Sequence, residues 1–153
     1  MGRYSIRKNY FYHSPKTIIM GFFDKIFKSE DDIAKEEIKR VPWIDLSDME
    51  TLDEIVKNSY VLTVAVFKHS TRCGISNMVL RQFEKEYTIE EGKVKLYFLD
   101  LLAYRDISNK VASKFNVPHQ SPQLIIIKEG KVVYDGSHSS IKAGTLKGHV
   151  ETV

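Results

Sequence analysis

The stretch from Tyr60 to Tyr87 changes its hydrophobic period in the middle. Its first part, Val61 to Phe67, is apolar and rich in β-branched residues, which is typical of a buried strand. A polar segment from Lys68 to Arg72 predicts a turn, and Cys73 follows it at once. After the cysteine the apolar positions are four residues apart, at Val79, Phe83 and Tyr87. The pattern therefore predicts a strand, a turn, a cysteine and a helix in that order.

Two elements are predicted before this stretch. Val41 to Ile44 is predicted to be extended because it combines a proline with apolar neighbours. Ser47 and Glu50 have the spacing of a capping box, which predicts the start of a helix. This helix would bury Leu52, Ile55 and Val56. We interpret residues 1–40 as an N-terminal appendage or linker, and residues 41–153 as one domain.

Three more strands are predicted downstream, at Val94 to Leu102, Gln123 to Lys128 and Lys131 to Asp135. The last two are joined by Glu129-Gly130, a two-residue connection that is typical of a hairpin with positive φ at the glycine. Two further helices are predicted to start near Asp106 and at Ser139 or Ser140. The order β–α–β–α–β–β–α predicts an α/β fold, whose central mixed sheet of about four to five strands is flanked by helices.

Charge gives no indication of a nucleic-acid partner. The formal net charge is +3, and the excess lies upstream of Met20, where basic residues have no acidic counterpart. A nucleic-acid footprint needs basic residues clustered on one folded face, and the sequence shows no such cluster. No apolar run is long enough to span a membrane, and no secretory segment is recognised. We therefore expect a cytoplasmic protein with neither a nucleic-acid nor a membrane partner.

Cys73 is the candidate reactive residue. It is the only cysteine of the chain, so it forms no intramolecular disulfide. The first turn of a helix presents unpaired N–H groups and the positive end of the helix dipole, which favour a thiolate. Together with Cys73, the residues His69, His119 and His138 do not have the spacing of a zinc site. The sequence therefore predicts a nucleophilic thiol and no metal.

Two short segments carry a resemblance to a known fold. Thr71-Arg72-Cys73-Gly74-Ile75-Ser76 resembles the C-x-x-C site of thioredoxins, with Ser76 in place of the second cysteine. Ser121-Pro122-Gln123 resembles the segment that carries a cis proline facing the active cysteine in these proteins. The resemblance implies a thioredoxin-like fold, arranged as βαβ followed by αββα.

A longer combination of residues is similar to the monothiol bacilliredoxins of the bacillithiol system. It comprises Phe67-Lys68-His69-Ser70-Thr71-Arg72 before the cysteine, Ser121-Pro122-Gln123, and Gly136-Ser137-His138. The resemblance implies a thiol–disulfide oxidoreductase that removes bacillithiol from mixed disulfides on proteins through Cys73. It also implies bacillithiol or a similar small thiol as co-substrate, with no tightly bound cofactor. The implied partners are S-thiolated proteins and a small thiol or second redoxin that regenerates the enzyme.

Nine residues besides the catalytic Cys73 are expected to support the thiolate or to bind the small thiol and substrate. They are Lys68, His69, Thr71, Arg72, Gly74, Ser76, Ser121, Pro122 and His138. We expect Ser76 to donate a hydrogen bond to the thiolate, and Lys68 or Arg72 to stabilise it or to meet a carboxylate of the small thiol. Two positions depart from the family pattern: Gly74 stands where proline is usual, and Ser139 where an aromatic residue is common.

Two other functions are compatible with the same residues. Cys73-Gly74-Ile75-Ser76 differs by one residue from the C-G-F-S motif of monothiol glutaredoxins, which carry a [2Fe–2S] cluster with glutathione. Those proteins usually have a G-G-x-D segment after the hairpin, where this chain has Tyr134-Asp135-Gly136-Ser137-His138. The remaining alternative is a non-catalytic binding module of the thioredoxin fold with an inert cysteine.

Overall fold

The computed structural model describes residues 41–152, which form five strands, four α-helices and one short 3-10 turn. The strands are β1 (Trp43–Asp45), β2 (Thr63–His69), β3 (Val94–Asp100), β4 (Gln123–Lys128) and β5 (Lys131–Ser137). The helices are α1 (Met49–Asn58), α2 (Gly74–Glu86), α3 (Arg105–Phe115) and α4 (Ala143–Glu151). The 3-10 turn, His138–Ser140, lies between β5 and α4. The predicted appendage of residues 1–40 lies outside the described residues, so the domain boundary stays a prediction.

The strands form one sheet in the order β1-β3-β2-β4-β5. Strands β1 and β2 each pair in parallel with β3, whereas β4 runs antiparallel to both β2 and β5. Strands β4 and β5 are joined by the predicted hairpin, in which Glu129 and Gly130 both have positive φ. The predicted mixed sheet with flanking helices is confirmed.

Each face of the sheet is covered by a hydrophobic core. Residues alternate along β2, so that Val64 and Val66 face one core while Ala65 and Phe67 face the other. The first core includes apolar residues of α1 and α3, and the second includes residues of α2 and α4. This alternation decides which helices the polar residues at the end of β2 meet.

Trp43 anchors the edge strand β1 to the second core. Its ring lies 5.7 Å from that of Phe83 on α2, at an interplanar angle of 30°, and 5.7 Å from that of Phe67 on β2. Its indole N–H donates a hydrogen bond of 2.8 Å to the Glu84 carboxylate. The edge strand is therefore attached to α2 by side-chain packing and by a polar contact.

Several sequence predictions about element ends are wrong. Strand β3 ends at Asp100 instead of Leu102, and β5 continues to Ser137 instead of ending at Asp135. Strand β2 ends at His69 instead of Phe67, because Lys68 and His69 still pair with residues of β3. The cap of α1 is Asp48, whose carboxylate accepts the Thr51 amide at 2.7 Å. Ser47 therefore makes no capping box.

The start of the last helix differs as well. Ser139 and Ser140 belong to the 3-10 turn, and α4 begins at Ala143 without a side-chain cap. Leu146 of this helix is nevertheless fully buried, because the helix still packs against the second core. Within residues 41–152, no helix is long and apolar enough to cross a membrane.

Candidate functional site

Cys73 occupies the N-cap position of α2, as predicted. Its backbone is extended (φ −102°, ψ 118°), its side chain makes no capping hydrogen bond, and it is half-buried. The Cys73 amide donates to the Ser70 carbonyl at 3.1 Å, and its own carbonyl accepts from the Asn77 amide at 3.0 Å. The turn and the first helical bond thus fix the backbone, while the thiol takes no part in holding the helix start.

Ser76 lies one turn into α2 and is completely buried. Its hydroxyl oxygen is 2.8 Å from Nδ1 of His69 and accepts the Ser70 amide at 3.1 Å. A hydroxyl has a single proton, so a bond donated to His69 leaves none for Cys73. The structure therefore connects Ser76 with the end of β2, and a hydrogen bond from Ser76 to the thiolate stays a prediction.

His69 is 3% exposed, at the end of β2 on the side of α2. Its ring lies 5.4 Å from that of Phe98 on the neighbouring strand. Burial lowers its pKa below the usual value of 6.5, although Asp100 and Asn77 act in the opposite direction. The imidazole beside Ser76 is therefore mainly neutral near pH 7.

Lys68 precedes His69 in β2, and its side chain consequently belongs to the opposite face of the sheet. It is completely buried, and its ammonium nitrogen is 2.9 Å from Nδ1 of His119. Burial lowers its pKa from 10.5 to about 8, and Asp135 opposes the shift. The structure therefore shows Lys68 as a buried cation in contact with the loop of His119, and its expected support of the thiolate or of a small-thiol carboxylate stays a prediction.

Ser121 and Pro122 are joined by a cis peptide bond. Pro122 is buried, and the hydroxyl of Ser121 is buried without a hydrogen-bond partner among the described residues. Lys68 pairs with Gln123, the residue after Pro122. The last residues of β2 and the first residues of β4 therefore lie at the same end of the sheet, and this end is called the site edge below. The chain leading to Cys73 and the proline segment therefore emerge at the site edge.

His138 reaches this edge through its backbone. It has a positive φ of 52° and is exposed, and its amide donates to the Pro122 carbonyl at 3.3 Å. The structure thus brings His138 to the proline segment.

Thr71, Arg72 and Gly74 are exposed around Cys73, where solvent and a substrate can reach them.

Three polar residues of this region are not among the predicted site residues. Gln123 is completely buried and binds the preceding loop, Asp135 accepts a hydrogen bond from it, and Ser108 of α3 lies 3.4 Å from Nδ1 of His119. A polar residue directly after the proline, at the start of an apolar strand, was the available signal for Gln123. Among residues 41–152, no group of three or more His, Cys, Asp or Glu side chains is arranged to hold a metal ion.

A family model described as "Monothiol bacilliredoxin BrxC" matches residues 44–146. The chain belongs to the monothiol bacilliredoxin family. This membership confirms the predicted family and implies a thiol–disulfide redox function. The matched range contains Cys73, Ser76, Pro122 and His138.

Solved structures agree with the family assignment. A candidate oxidoreductase with a thioredoxin fold is 31% identical, with a TM-score of 0.60 over 71% of this chain and 93% of that protein. Thioredoxin of Malassezia sympodialis is 18% identical, with a TM-score of 0.53 over 69% of this chain and 85% of its own. Thioredoxin of Fasciola hepatica is 20% identical, with a TM-score of 0.50 over 69% and 94%. The two thioredoxins show the fold alone, and the predicted thioredoxin-like fold is confirmed.

Proposed function

We propose that this protein removes bacillithiol from mixed disulfides on other proteins, using Cys73 as its nucleophile. The observation that carries the proposal is the position of the only cysteine, at the N-cap of α2 within a domain of the monothiol bacilliredoxin family. A helix N-terminus favours a thiolate, which is the attacking form in thiol–disulfide exchange.

The first step is a transfer of the small thiol. The Cys73 thiolate attacks the bacillithiol sulfur of the mixed disulfide, so one S–S bond forms as another breaks. The substrate protein leaves as a thiolate, which takes a proton from solvent. Cys73 is oxidised to a mixed disulfide while the substrate cysteine is reduced.

The second step needs an external thiol. Because the chain has no second cysteine, Cys73 cannot be released by an internal thiol. A second bacillithiol molecule attacks the adduct, giving bacillithiol disulfide and free Cys73, or a partner redoxin with its own thiol does the same. The proposed partners are accordingly S-thiolated proteins, and the small thiol is a co-substrate. We propose a cytoplasmic location, where such thiols are kept reduced.

The surrounding residues support binding more than chemistry. Arg72 is exposed next to Cys73, so its guanidinium is available to a carboxylate of the small thiol. Thr71 and Gly74 are exposed on the two sides of the half-buried Cys73, and the Ser121–Pro122 segment lies at the same end of the sheet. We expect an extended substrate segment to pair with the backbone of Ser121, because the Pro122 carbonyl already accepts the His138 amide.

The test uses a carrier protein with one cysteine, modified either with bacillithiol or with glutathione. Each form is incubated with the full chain and with Cys73→Ser, and intact masses are recorded over time. We expect the bacillithiol mass on the wild type only, together with unmodified carrier. Absence of transfer to the wild type from both carriers would refute an enzymatic role.

The transfer rates and two further measurements separate the alternative functions. Faster transfer of glutathione than of bacillithiol would favour a glutaredoxin-type activity, which visible absorption after anaerobic purification would support. An alkylation rate of Cys73 equal to that of free cysteine at neutral pH would favour a binding module. Ser113→Ala, at an exposed position of α3, is the control for Cys73→Ser. It should fold and transfer the small thiol like the wild type.

A further inference from the structure

The loop before Pro122 is held by two buried polar side chains that stand side by side on the sheet. They are Lys68 of β2 and Gln123 of β4, which are paired residues of neighbouring antiparallel strands and are both completely buried. Both side chains belong to the sheet face covered by α1 and α3, away from α2. The loop is therefore attached from the side of the sheet that does not carry Cys73.

Gln123 holds the loop by its amide group. Its nitrogen donates to the Pro118 carbonyl at 2.9 Å and to the Asp135 carboxylate at 2.8 Å. Its oxygen accepts the Gln120 amide at 3.2 Å. All these bonds involve backbone or a neighbouring strand, so they fix the path of the loop on both sides of His119.

Lys68 holds the same loop by a side chain. An ammonium group only donates, so Nδ1 of His119 is the acceptor of the 2.9 Å contact, and the imidazole is neutral. Within residues 41–152, Lys68 forms no ion pair with a carboxylate. The closest polar contact of the buried cation is thus one imidazole of the loop, and the Asp135 carboxylate attracts the cation without forming an ion pair with it.

A buried ammonium group of this kind lowers the free energy of unfolding. A buried charge without a carboxylate in direct contact loses its hydration and is destabilising unless other contacts replace the water. A methionine of similar length would fill the same space among Leu99 and its neighbours without this penalty. The contact with His119 therefore calls for a role other than stabilising the core.

We propose that Lys68 and His119 form a positioning pair that fixes the loop before Pro122 for docking of the protein substrate, a role that rests on the proposed function. Lys68 touches neither Cys73 nor the substrate in this scheme. It acts through His119, which is exposed in the loop that leads to Pro122. Loss of the pair should weaken substrate binding and leave the thiol chemistry unchanged.

The test compares Lys68→Met with Lys95→Met. Lys95 is a half-buried lysine on the same face of the sheet, and its ammonium group donates to the Asn58 side chain at 3.0 Å. For Lys68→Met we expect KM for a bacillithiolated protein to rise about tenfold, because binding must then order the loop without the hydrogen bond from a charged donor that holds it in the wild type. We expect kcat, and the rate of Cys73 alkylation by iodoacetamide, to stay as in the wild type. Lys95→Met should leave KM unchanged.

His119 provides a second pair of variants with little effect on the core. His119→Asn places an oxygen acceptor near the position of Nδ1, whereas His119→Leu removes the acceptor. We expect Asn to keep KM near the wild-type value and Leu to raise it as Lys68→Met does. Equal KM values for wild type, Lys68→Met and His119→Leu would overturn the proposal, as would a rise in KM that Lys95→Met shares.

Hydrogen exchange separates this proposal from the proposed function. Without any substrate, peptides spanning residues 116–121 should exchange faster in Lys68→Met and His119→Leu than in the wild type, while peptides of α2 should not change. Faster exchange of the loop with no transfer from any carrier would refute the redox assignment and keep the positioning role. Unchanged exchange in both variants would refute the positioning role, even if transfer is observed.

Discussion

The Ser76 hydroxyl lies 2.8 Å from Nδ1 of His69, so the helix position where a C-x-x-C site has its second cysteine is tied to the end of β2. Ser76 also accepts the Ser70 amide from the turn between β2 and α2. One buried hydroxyl therefore connects the strand, the turn and the helix that together place Cys73.

Replacement of Ser76 by alanine should destabilise the domain. Ser76→Ala removes the acceptor of the Ser70 amide and the partner of His69, and both groups are left without their bond. A buried polar group that loses its partner costs about 1–3 kcal/mol. Urea unfolding at pH 7 measures the loss, with Ser113→Ala as the exposed serine control. An equal midpoint for the two variants would contradict the structural role of Ser76.

Replacement of Ser76 by cysteine should convert the site from one thiol to two. In Ser76→Cys the new thiol lies three residues after Cys73, on the first turn of α2. Attack on the Cys73 adduct then becomes intramolecular, which speeds it greatly over attack by a free thiol. We expect the small thiol to be released and an internal disulfide to remain, seen as the loss of the adduct mass. Ser113→Cys, on the helix layer across the sheet, should keep the adduct.

Replacement of Gly74 by proline should stabilise the start of α2. Gly74 is the first helical residue, where proline is favoured because its missing N–H is not needed there. A Cβ atom at this position would meet no other group within 4 Å, and the extended backbone of Cys73 suits a residue that precedes proline. We expect Gly74→Pro to raise the free energy of unfolding by about 0.4–1 kcal/mol. Gly74→Ala is the control, and a lower thermal midpoint for proline than for alanine would count against this geometry.

Stability should fall as the solution is acidified below pH 6.5. The pKa values of His69 and His119 are lowered in the folded chain, mainly by burial, so the unfolded chain binds protons first. Their contribution to the free energy of unfolding is therefore complete at pH values above 6.5, the pKa of histidine in the unfolded chain. This contribution is lost as the pH falls through the lower pKa values of the folded chain. Asp48 and Asp53 also have lowered pKa values, but their contribution to stability is lost only at pH values below about 3.8.

The measurement is the urea midpoint at about pH 7.5 and about pH 5, for the wild type and for His119→Asn. We expect the wild-type midpoint to be lower at the acidic pH, and the difference to shrink in the variant. His119 is neighboured by the cations Lys68 and Arg105, both of which disfavour its protonation. A wild-type midpoint that does not change, or that rises on acidification, would show that the protonation of these two imidazoles is not coupled to folding.

The elements were predictable where their hydrophobic period is simple. Ile107, Val111 and Phe115 are spaced four residues apart, which indicates one helical face, and this face of α3 is buried. The hairpin turn is at Glu129-Gly130, as predicted. Lys68 and His69 were assigned to a turn because local polarity outweighed a strand pairing that only the neighbouring strands reveal.

The cysteine was predictable from its place between a strand and a helix, whereas its surroundings depend on contacts distant in sequence. Lys68 and His119 are 51 residues apart, and no local pattern relates them. The alternation of β2 did contain a usable signal, because Lys68 follows Val64 and Val66 at intervals of two and so belongs to their buried face.

The edge strand β1 has a practical consequence through Trp43, the only tryptophan of the chain. Its indole stacks on Phe83 and donates to Glu84, and both of these residues belong to the helix that begins after Cys73. A displacement of α2 when the cysteine takes up a thiol would change the surroundings of this single fluorophore. Trp43 fluorescence is thus a label-free probe for any such displacement, with no other indole to obscure it.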